Sequence, residues 1–160
     1  MAKANKSKTA GLAFLSTPSG DLSLVAQHIT TGALLGGYET TRFKSKKSPT
    51  ASRLEALHLL GVNGVDAGVA KGRAIAAGAL VTRYLVEAPP NVCTPSHLAA
   101  TAVHLAQKFP SVMSVNILEK EACQALGMGS FLGVAEASDA PPKFIHLTYV
   151  HLRGRELGSA

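Results

Sequence analysis

The sequence predicts an α/β chain in two parts, and three observations carry that expectation. Short apolar runs alternate along the chain with apolar residues at helical spacing. The segment Ala88-Pro89-Pro90-Asn91-Val92-Cys93-Thr94-Pro95 interrupts this alternation, because neither proline at 89–90 has an amide to continue a helix. The composition, 46% hydrophobic and 16% charged over 160 residues, suits a packed core rather than a disordered chain.

Before the break, residues 1–20 predict a basic tail with Lys3, Lys6 and Lys8 and a short strand at 11–15, followed by turn residues from Pro18 to Asp21. Leu22, Val25, Ile29 and Ala33 recur at helical spacing, so a helix is expected over 21–35, ended by Gly36 and Gly37. Residues 38–50 are polar and basic and predict an extended segment running into an exposed loop. A buried strand is expected over 54–62, with Gly61 and Gly64 at its exit. Asp66 is placed to cap a long helix over 67–87, on which Val65, Val69, Ala76 and Leu80 share a face that Arg83 also enters. A long helix of small residues suits a bridge between two packed units.

After the break, Thr94 followed by Pro95 is a helix start, a hydroxyl cap and then proline at the first helical position. Leu98, Ala102, Leu105 and Phe109 are expected on one face of that helix, which Pro110 stops. Met113, Val115 and Ile117 alternate with Ser114 and Asn116, as in a half-buried strand. Short helices follow at 119–126, closed by Gly127, and at 131–137. Residues 143–150 are apolar on both faces and predict a central strand. The order helix, strand, helix, helix, strand opens an α/β sheet that two strands do not complete. The expected divisions are therefore 1–20, a tail and short strand; 21–64, a partial α/β domain; 65–88, a linking helix; 89–150, the start of a second α/β domain; and 151–160, a tail.

Sixteen Lys and Arg against ten Asp and Glu give a net charge of +6, which permits an anionic partner without requiring one. Two cysteines exclude a disulfide framework and fit a reducing compartment. No apolar run reaches the ~18 residues of a membrane span.

Sites of chemistry are sparse. His97 and His104 lie seven apart on one expected helix, two turns from each other, and suit surface or capping roles better than metal binding. Cys93 and Cys123 stand in no CxxC pair and read as inert thiols. Gly127, Gly129 and Gly133 have the spacing GxGxxxG, one residue longer than a dinucleotide loop, and follow a helix instead of a strand; they are expected to join two helices and let them pack closely. Of the ten carboxylates only Glu119 and Glu121 are close in sequence, at an expected helix start where they complement the dipole. Arg42, Lys44, Lys46 and Lys47 form a basic run that reads as a solubilising loop; Tyr38 and Phe43 beside it are too few for a base-stacking platform, which argues against nucleic acid.

Three segments carry a resemblance. They are Gly32-Ala33-Leu34-Leu35-Gly36-Gly37-Tyr38-Glu39 with Arg42-Phe43-Lys44-Ser45; Leu85 to Pro95; and Leu126 to Ala135 with Pro141-Pro142-Lys143-Phe144-Ile145-His146-Leu147-Thr148-Tyr149. In this order and spacing, from about residue 22 to 150, the chain resembles the leucyl aminopeptidase (cytosol aminopeptidase) family, most closely its plant and cyanobacterial members. The resemblance implies the end of an N-terminal α/β domain, a linking helix and the start of a catalytic domain. It implies a hexameric hydrolase that uses two divalent metals (zinc, manganese or magnesium) to release N-terminal residues from peptides. In the family the metal ligands and the catalytic Lys and Arg stand in a Gly-Lys-Gly-Leu-x-x-Asp-Ser-Gly-Gly segment and an Asn-Thr-Asp-Ala-Glu-Gly-Arg segment. Neither occurs here, where His151 to Ala160 follow Val150, so no catalytic, cofactor or metal position carries over. This chain alone is therefore expected to be truncated before its chemistry and inactive, with metals and peptides bound only by a completed enzyme. The alternatives are a non-catalytic paralogue acting as an interacting or inhibitory subunit of the full-length hexamer and, behind it, a nucleic-acid-binding chain. The expected location is the cytoplasm, with a plastid as the alternative. Glu87 stands where the family usually has Asn, adding a charge near the domain junction.

Overall fold

The computed structural model describes residues 9–13, 20–45, 56–60 and 63–150. Its architecture is α/β, and it divides into two compact units, residues 1–87 and residues 88–160.

The first unit contains β1 (Thr9–Ala13), α1 (Leu22–Gly37), β2 (Ala56–Leu60) and α2 (Asp66–Val86). The strands pair in parallel, from Thr9 opposite Ala56 to Ala13 opposite Leu60, and α1 lies in the crossover that parallel neighbours need. Asp21 caps α1, its carboxylate accepting from the Ser23 amide at 2.8 Å. The glycines expected to end α1 are instead helical; the helix stops at Tyr38, whose backbone is extended at φ −71°, ψ 127°. Asp66 is not the cap of α2 but its first residue, with Val65 at the cap position, so its charge acts on the positive end of the helix.

The two helices run side by side in the same direction, since Ser23 meets Gly68, Gln27 meets Gly72 and Leu35 meets Arg83. The buried stripe of α2 is Gly68, Gly72 and Ala76, four residues apart, rather than the larger apolar face the spacing suggested. A Cβ built on Gly72 would sit 2.5 Å from the Gln27 carbonyl oxygen and 2.9 Å from the Thr30 Cβ. One built on Gly68 would overlap the Ser23 carbonyl oxygen outright. Hydrogen at these two positions is what lets the backbones approach. The Thr31 hydroxyl then reaches across to donate to the Gly72 carbonyl at 3.2 Å, sharing its proton with Gln27 O at 2.8 Å.

The second unit contains α3 (Pro95–Lys108), β3 (Met113–Leu118), α4 (Lys120–Ala125), α5 (Gly129–Ala135) and β4 (Phe144–Tyr149). Thr94 caps α3 as expected, accepting from the His97 amide at 3.3 Å, with Pro95 next. Its buried residues are Ala99, Ala102 and Ala106; Leu98 and Phe109 of the expected apolar face are exposed. Small side chains let α3 lie close on the sheet, chiefly on β3. Gly127 closes α4 in the left-handed conformation, φ 67°. There Met128 N bonds to Cys123 O and Gly127 N to Gln124 O, each at 3.0 Å, which satisfies the last carbonyls of the helix.

β4 falls within the strand expected over 143–150. It pairs antiparallel with β3, Met113 opposite Tyr149 and Leu118 opposite Phe144, and among the described residues it has no second neighbour. Its apolar content faces partly outward, with Leu147 40% and Tyr149 63% exposed. Lys143 pairs with Glu119, tying the approach to β4 to the end of β3. The rings of Phe131 and Phe144 meet edge to face with centroids 5.8 Å apart. The expected tail 151–160, residues 1–8 and 14–19 of the expected tail and strand over 1–20, residues 46–50 of the expected loop, and residues 54–55 and 61–62 of the expected strand over 54–62 lie outside the described residues.

Candidate functional site

The densest polar constellation among the described residues forms where the carboxyl ends of α1 and α2 come together. Two parallel helices ending side by side bring two partial negative charges and two sets of unsatisfied carbonyls into one place. The chain answers with two arginines. Arg83 of α2 donates to the Leu35 carbonyl in the last turn of α1 at 2.8 Å. Arg42, just beyond α1, donates to the Tyr84 carbonyl in the last turn of α2 at 2.9 Å. The guanidinium of Arg42 also lies 3.5 Å from the ring centre of Tyr84 and 4.4 Å from that of Phe43, within cation–π range of both. Each helix is thus capped by a side chain from the other strand–helix segment.

Tyr38 adds a third link, its hydroxyl donating to Glu87 Oε2 at 2.8 Å. The hydrogen bond to the carboxylate favours the protonated phenol, and with desolvation and the Glu87 charge it outweighs the nearby Arg42 and Arg83, so the Tyr38 pKa rises above its usual value. The family-atypical Glu87 therefore has a partner within its own unit. Tyr38, Thr40, Thr82, Arg83, Val86 and Glu87 line an open pocket of about 400 Å³. No ion pair joins Arg83 to Glu87 among the described residues, although they are four apart on one helix.

The sequence named Arg42 for its charge and noticed that Arg83 broke an apolar face, but did not bring them together. The intrusion of Arg83 on the packing face of α2 was the usable signal: it points at the end of α1 because it caps it.

The other candidates stay apart. His104 is exposed, and His97 is half-buried with its Nε2 buried and without a partner among the described residues. Cys93 is half-buried and Cys123 buried, both as free thiols. Gly127 and Gly129 do link α4 to α5, but a Cβ at Gly129 or Gly133 would meet nothing within 4 Å, so these two are not there for close helix packing. Glu119 precedes α4 and Glu121 lies in its first turn. Lys44 lies beside Arg42, while Lys46 and Lys47 lie outside the described residues. Among the described residues no three His, Cys, Asp or Glu side chains are grouped to hold a metal ion, so the two-metal site implied by the resemblance finds no donor set there. Nor is any described helix long and apolar enough to cross a membrane.

Residues 80–156 match the model of the cytosol aminopeptidase family, catalytic domain. A probable cytosol aminopeptidase of Microcystis aeruginosa is 45% identical over 146 residues, covering 91% of this chain and 29% of its own length. The corresponding protein of Nostoc punctiforme is 45% identical over 149 residues, covering 93% and 30%. Among solved structures, a tomato leucine aminopeptidase mutant superposes with a TM-score of 0.84 at 35% identity, over 94% of this chain and 31% of that one. The bottromycin maturation enzyme BotP, in complex with Mn, shares the fold at a TM-score of 0.78 and 23% identity, over 92% of this chain and 30% of that one. The chain spans about three tenths of the length of the relatives it matches.

Proposed function

Because this chain belongs to the cytosol aminopeptidase family, we propose that it is a scaffold segment of a two-metal aminopeptidase, an exopeptidase that releases N-terminal residues from peptides, and that alone it does not hydrolyse them. The observation that carries the reading is the match itself: 45% identity over 91% of this chain falls on only 29% of the relative. Neither segment to which the resemblance assigns metal ligands occurs in the 160 residues. The described residues offer no donor set for zinc, manganese or magnesium, so water activation at paired metals has to come from residues elsewhere in a completed enzyme. In that enzyme this chain's part is structural: unit 1 fixes α2 through its close contact with α1 and the capped helix ends, and the Thr94 cap starts unit 2 directly after the break.

Two assays test this. The purified chain, given Mn²⁺ or Zn²⁺, is expected to leave leucyl p-nitroanilide intact, and metal-dependent hydrolysis would refute the reading. Exchanged for the matching segment of the Microcystis aeruginosa relative, the same chain is expected to give a folded, active enzyme. A folded but inactive chimera, beside an active parent, would sink the proposal that the segment serves an aminopeptidase.

A second reading has one observation in its favour. The partly exposed Leu147 and Tyr149 on β4, which has no second neighbouring strand among the described residues, suit association with a full-length homologue, as an inhibitory or merely interacting subunit of its hexamer. Co-purification with a complete aminopeptidase is the expected result of that reading, and its failure at high concentration removes it. Either reading places the chain in the cytoplasm, with a plastid as the alternative, following the relatives named for the cytosol.

A further inference from the structure

We propose that the pocket at the carboxyl end of α2 binds a free amino acid with an apolar side chain, recognised as a zwitterion. Arg83 and Glu87 stand four residues apart on one helix, the spacing at which opposite charges ordinarily pair. Here each is drawn to the end of α1 instead. Arg83 is held by the Leu35 carbonyl at 2.8 Å and Glu87 by the Tyr38 hydroxyl at 2.8 Å. The two charges are left unpaired with each other, and the pocket they both line has a volume of about 400 Å³, in the range of small-molecule sites.

Both groups keep capacity for a ligand. A guanidinium has five N–H donors, of which Arg83 spends one on Leu35, and a carboxylate has several acceptor positions, of which Glu87 spends one on Tyr38. An α-carboxylate on Arg83 and an α-ammonium on Glu87 would bridge the separated charges with charge-assisted hydrogen bonds. The Thr40 hydroxyl offers a neutral partner, the Thr82 hydroxyl, which donates to the Gly78 carbonyl, can still accept, and Val86, 77% exposed, gives an apolar side chain a wall. The negative end of α2 favours the ammonium near Glu87. Glu87 is what makes the site zwitterionic, since without its carboxylate the ammonium has no counter-charge from the lining. The proposal rests on unit 1 alone and stands or falls independently of the peptidase reading.

The test is a titration of the full isotope-labelled chain, followed by amide NMR, with L-leucine, N-acetyl-L-leucine and L-leucinamide. The acetyl compound lacks the ammonium and the amide lacks the carboxylate. L-Leucine is expected to give saturable shifts confined to residues around 38–40 and 82–87, with an affinity at least about tenfold above either analogue, since one charge-assisted contact is lost with each. Glu87→Asn is expected to bind leucine no better than the wild type binds N-acetyl-leucine. Arg83→Gln is expected to reduce leucine binding to the level of leucinamide; should its loss of the Leu35 contact disturb the fold, the Glu87 variant and the two analogues still decide the matter. Unsaturable shifts, shifts spread over both units, or equal affinity for all three compounds would overturn the proposal.

Discussion

Replacing Gly72 or Gly68 by alanine tests the claim that the first unit is built around a backbone-to-backbone helix contact. At Gly72 the new methyl would lie 2.5 Å from Gln27 O, 2.9 Å from Thr30 Cβ and 3.2 Å from Gln27 Cα. Two of these three neighbours are backbone atoms, so no rotamer change relieves the overlap and the helices must separate. Overpacking of this kind costs about 1–3 kcal/mol. The Thr31 hydroxyl, already 3.2 Å from Gly72 O, would lose that bond, a further ~1 kcal/mol. Against this, alanine in a helix is favoured over glycine by ~1 kcal/mol. The net expectation for Gly72→Ala is a loss of about 1–3 kcal/mol, and for Gly68→Ala the upper end of that range, because its methyl would coincide with the Ser23 carbonyl. The internal control is Gly78, on the same helix, where an added Cβ meets nothing within 4 Å; Gly78→Ala should gain about 0.5–1 kcal/mol. Urea unfolding of the full chain, with amide exchange of α1 and α2 to assign the transition to unit 1, reads all three. If Gly68→Ala proved as stable as Gly78→Ala, the close-contact account of α1 and α2 would be wrong.

Thr94→Ala should cost about 1 kcal/mol of unit 2 stability by removing the cap on α3, and Thr94→Ser should restore most of it in the same urea titration. Gly127→Ala forces a side chain into the left-handed region at φ 67° and should cost about 1–2 kcal/mol, whereas Gly133→Ala, in open helical space, should be neutral or mildly stabilising. Arg42→Lys should weaken unit 1 by about 0.5–1 kcal/mol, since an ammonium cannot lie flat on the Tyr84 ring while bonding the Tyr84 carbonyl. Tyr38 has a folded pKa above its unfolded value of about 10, so its protonated form is the one the fold favours. The contribution is fully present below pH ~10 and is lost as pH rises through the higher folded value. Ultraviolet titration of the chain against Tyr38→Phe should show the missing phenol ionising later than the same tyrosine in Glu87→Gln.

The sequence disclosed the elements that local chemistry decides. Thr94-Pro95 at the start of α3 and Gly127 after α4 act through neighbours within a few residues, and each stands where expected; Asp21, read as a turn residue opening the helix, is its cap. What depended on distant partners was legible only in part. Glycine at 36–37 was expected to stop α1, but the stop comes at Tyr38, and Arg83 caps the Leu35 carbonyl from forty-eight residues away. On α2 and α3 the expected faces hold in part: Val65, Ala76 and Ala102 are buried, but Leu98 and Phe109 are exposed, and Gly68, Gly72, Ala99 and Ala106 are buried instead, because close approach gains more contact than bulk held at a distance. The apolar run 143–150 was legible as a strand, but its antiparallel pairing with β3 was not, because the partner lies some thirty positions away. The cluster of Tyr38, Arg42, Arg83, Tyr84 and Glu87 was illegible for the same reason: its members come from two segments joined by hydrogen bonds across forty-two to forty-nine positions.

The buried set also bears on the proposal that the chain's part is structural. Among the described residues the buried apolar ones are Ala26, Val65, Ala76, Ala99, Ala102, Ala106 and Cys123, and the largest fully buried side chain is that of Cys123. Full burial of a Leu, Ile or Phe contributes about 1.5–3 kcal/mol, and one that stays near 40% exposed, as Leu147 and Phe144 do, gives up a proportionate part. A two-metal site asks for the opposite surroundings: ligands held by packed neighbours, with outer partners fixing their orientation. In this chain the rigid places are the contact of α1 with α2 and the Cys123 side of α4, and neither presents a carboxylate or imidazole inward. Its best-fixed polar groups instead cap helix ends. This arrangement supports the proposed scaffold role. It predicts that substitutions at Arg42, Arg83 or Gly72, introduced into an active chimera, will lower its thermal midpoint more than its kcat/KM at low temperature. The reverse order, with activity lost from a chimera of unchanged stability, would place chemistry in this segment after all.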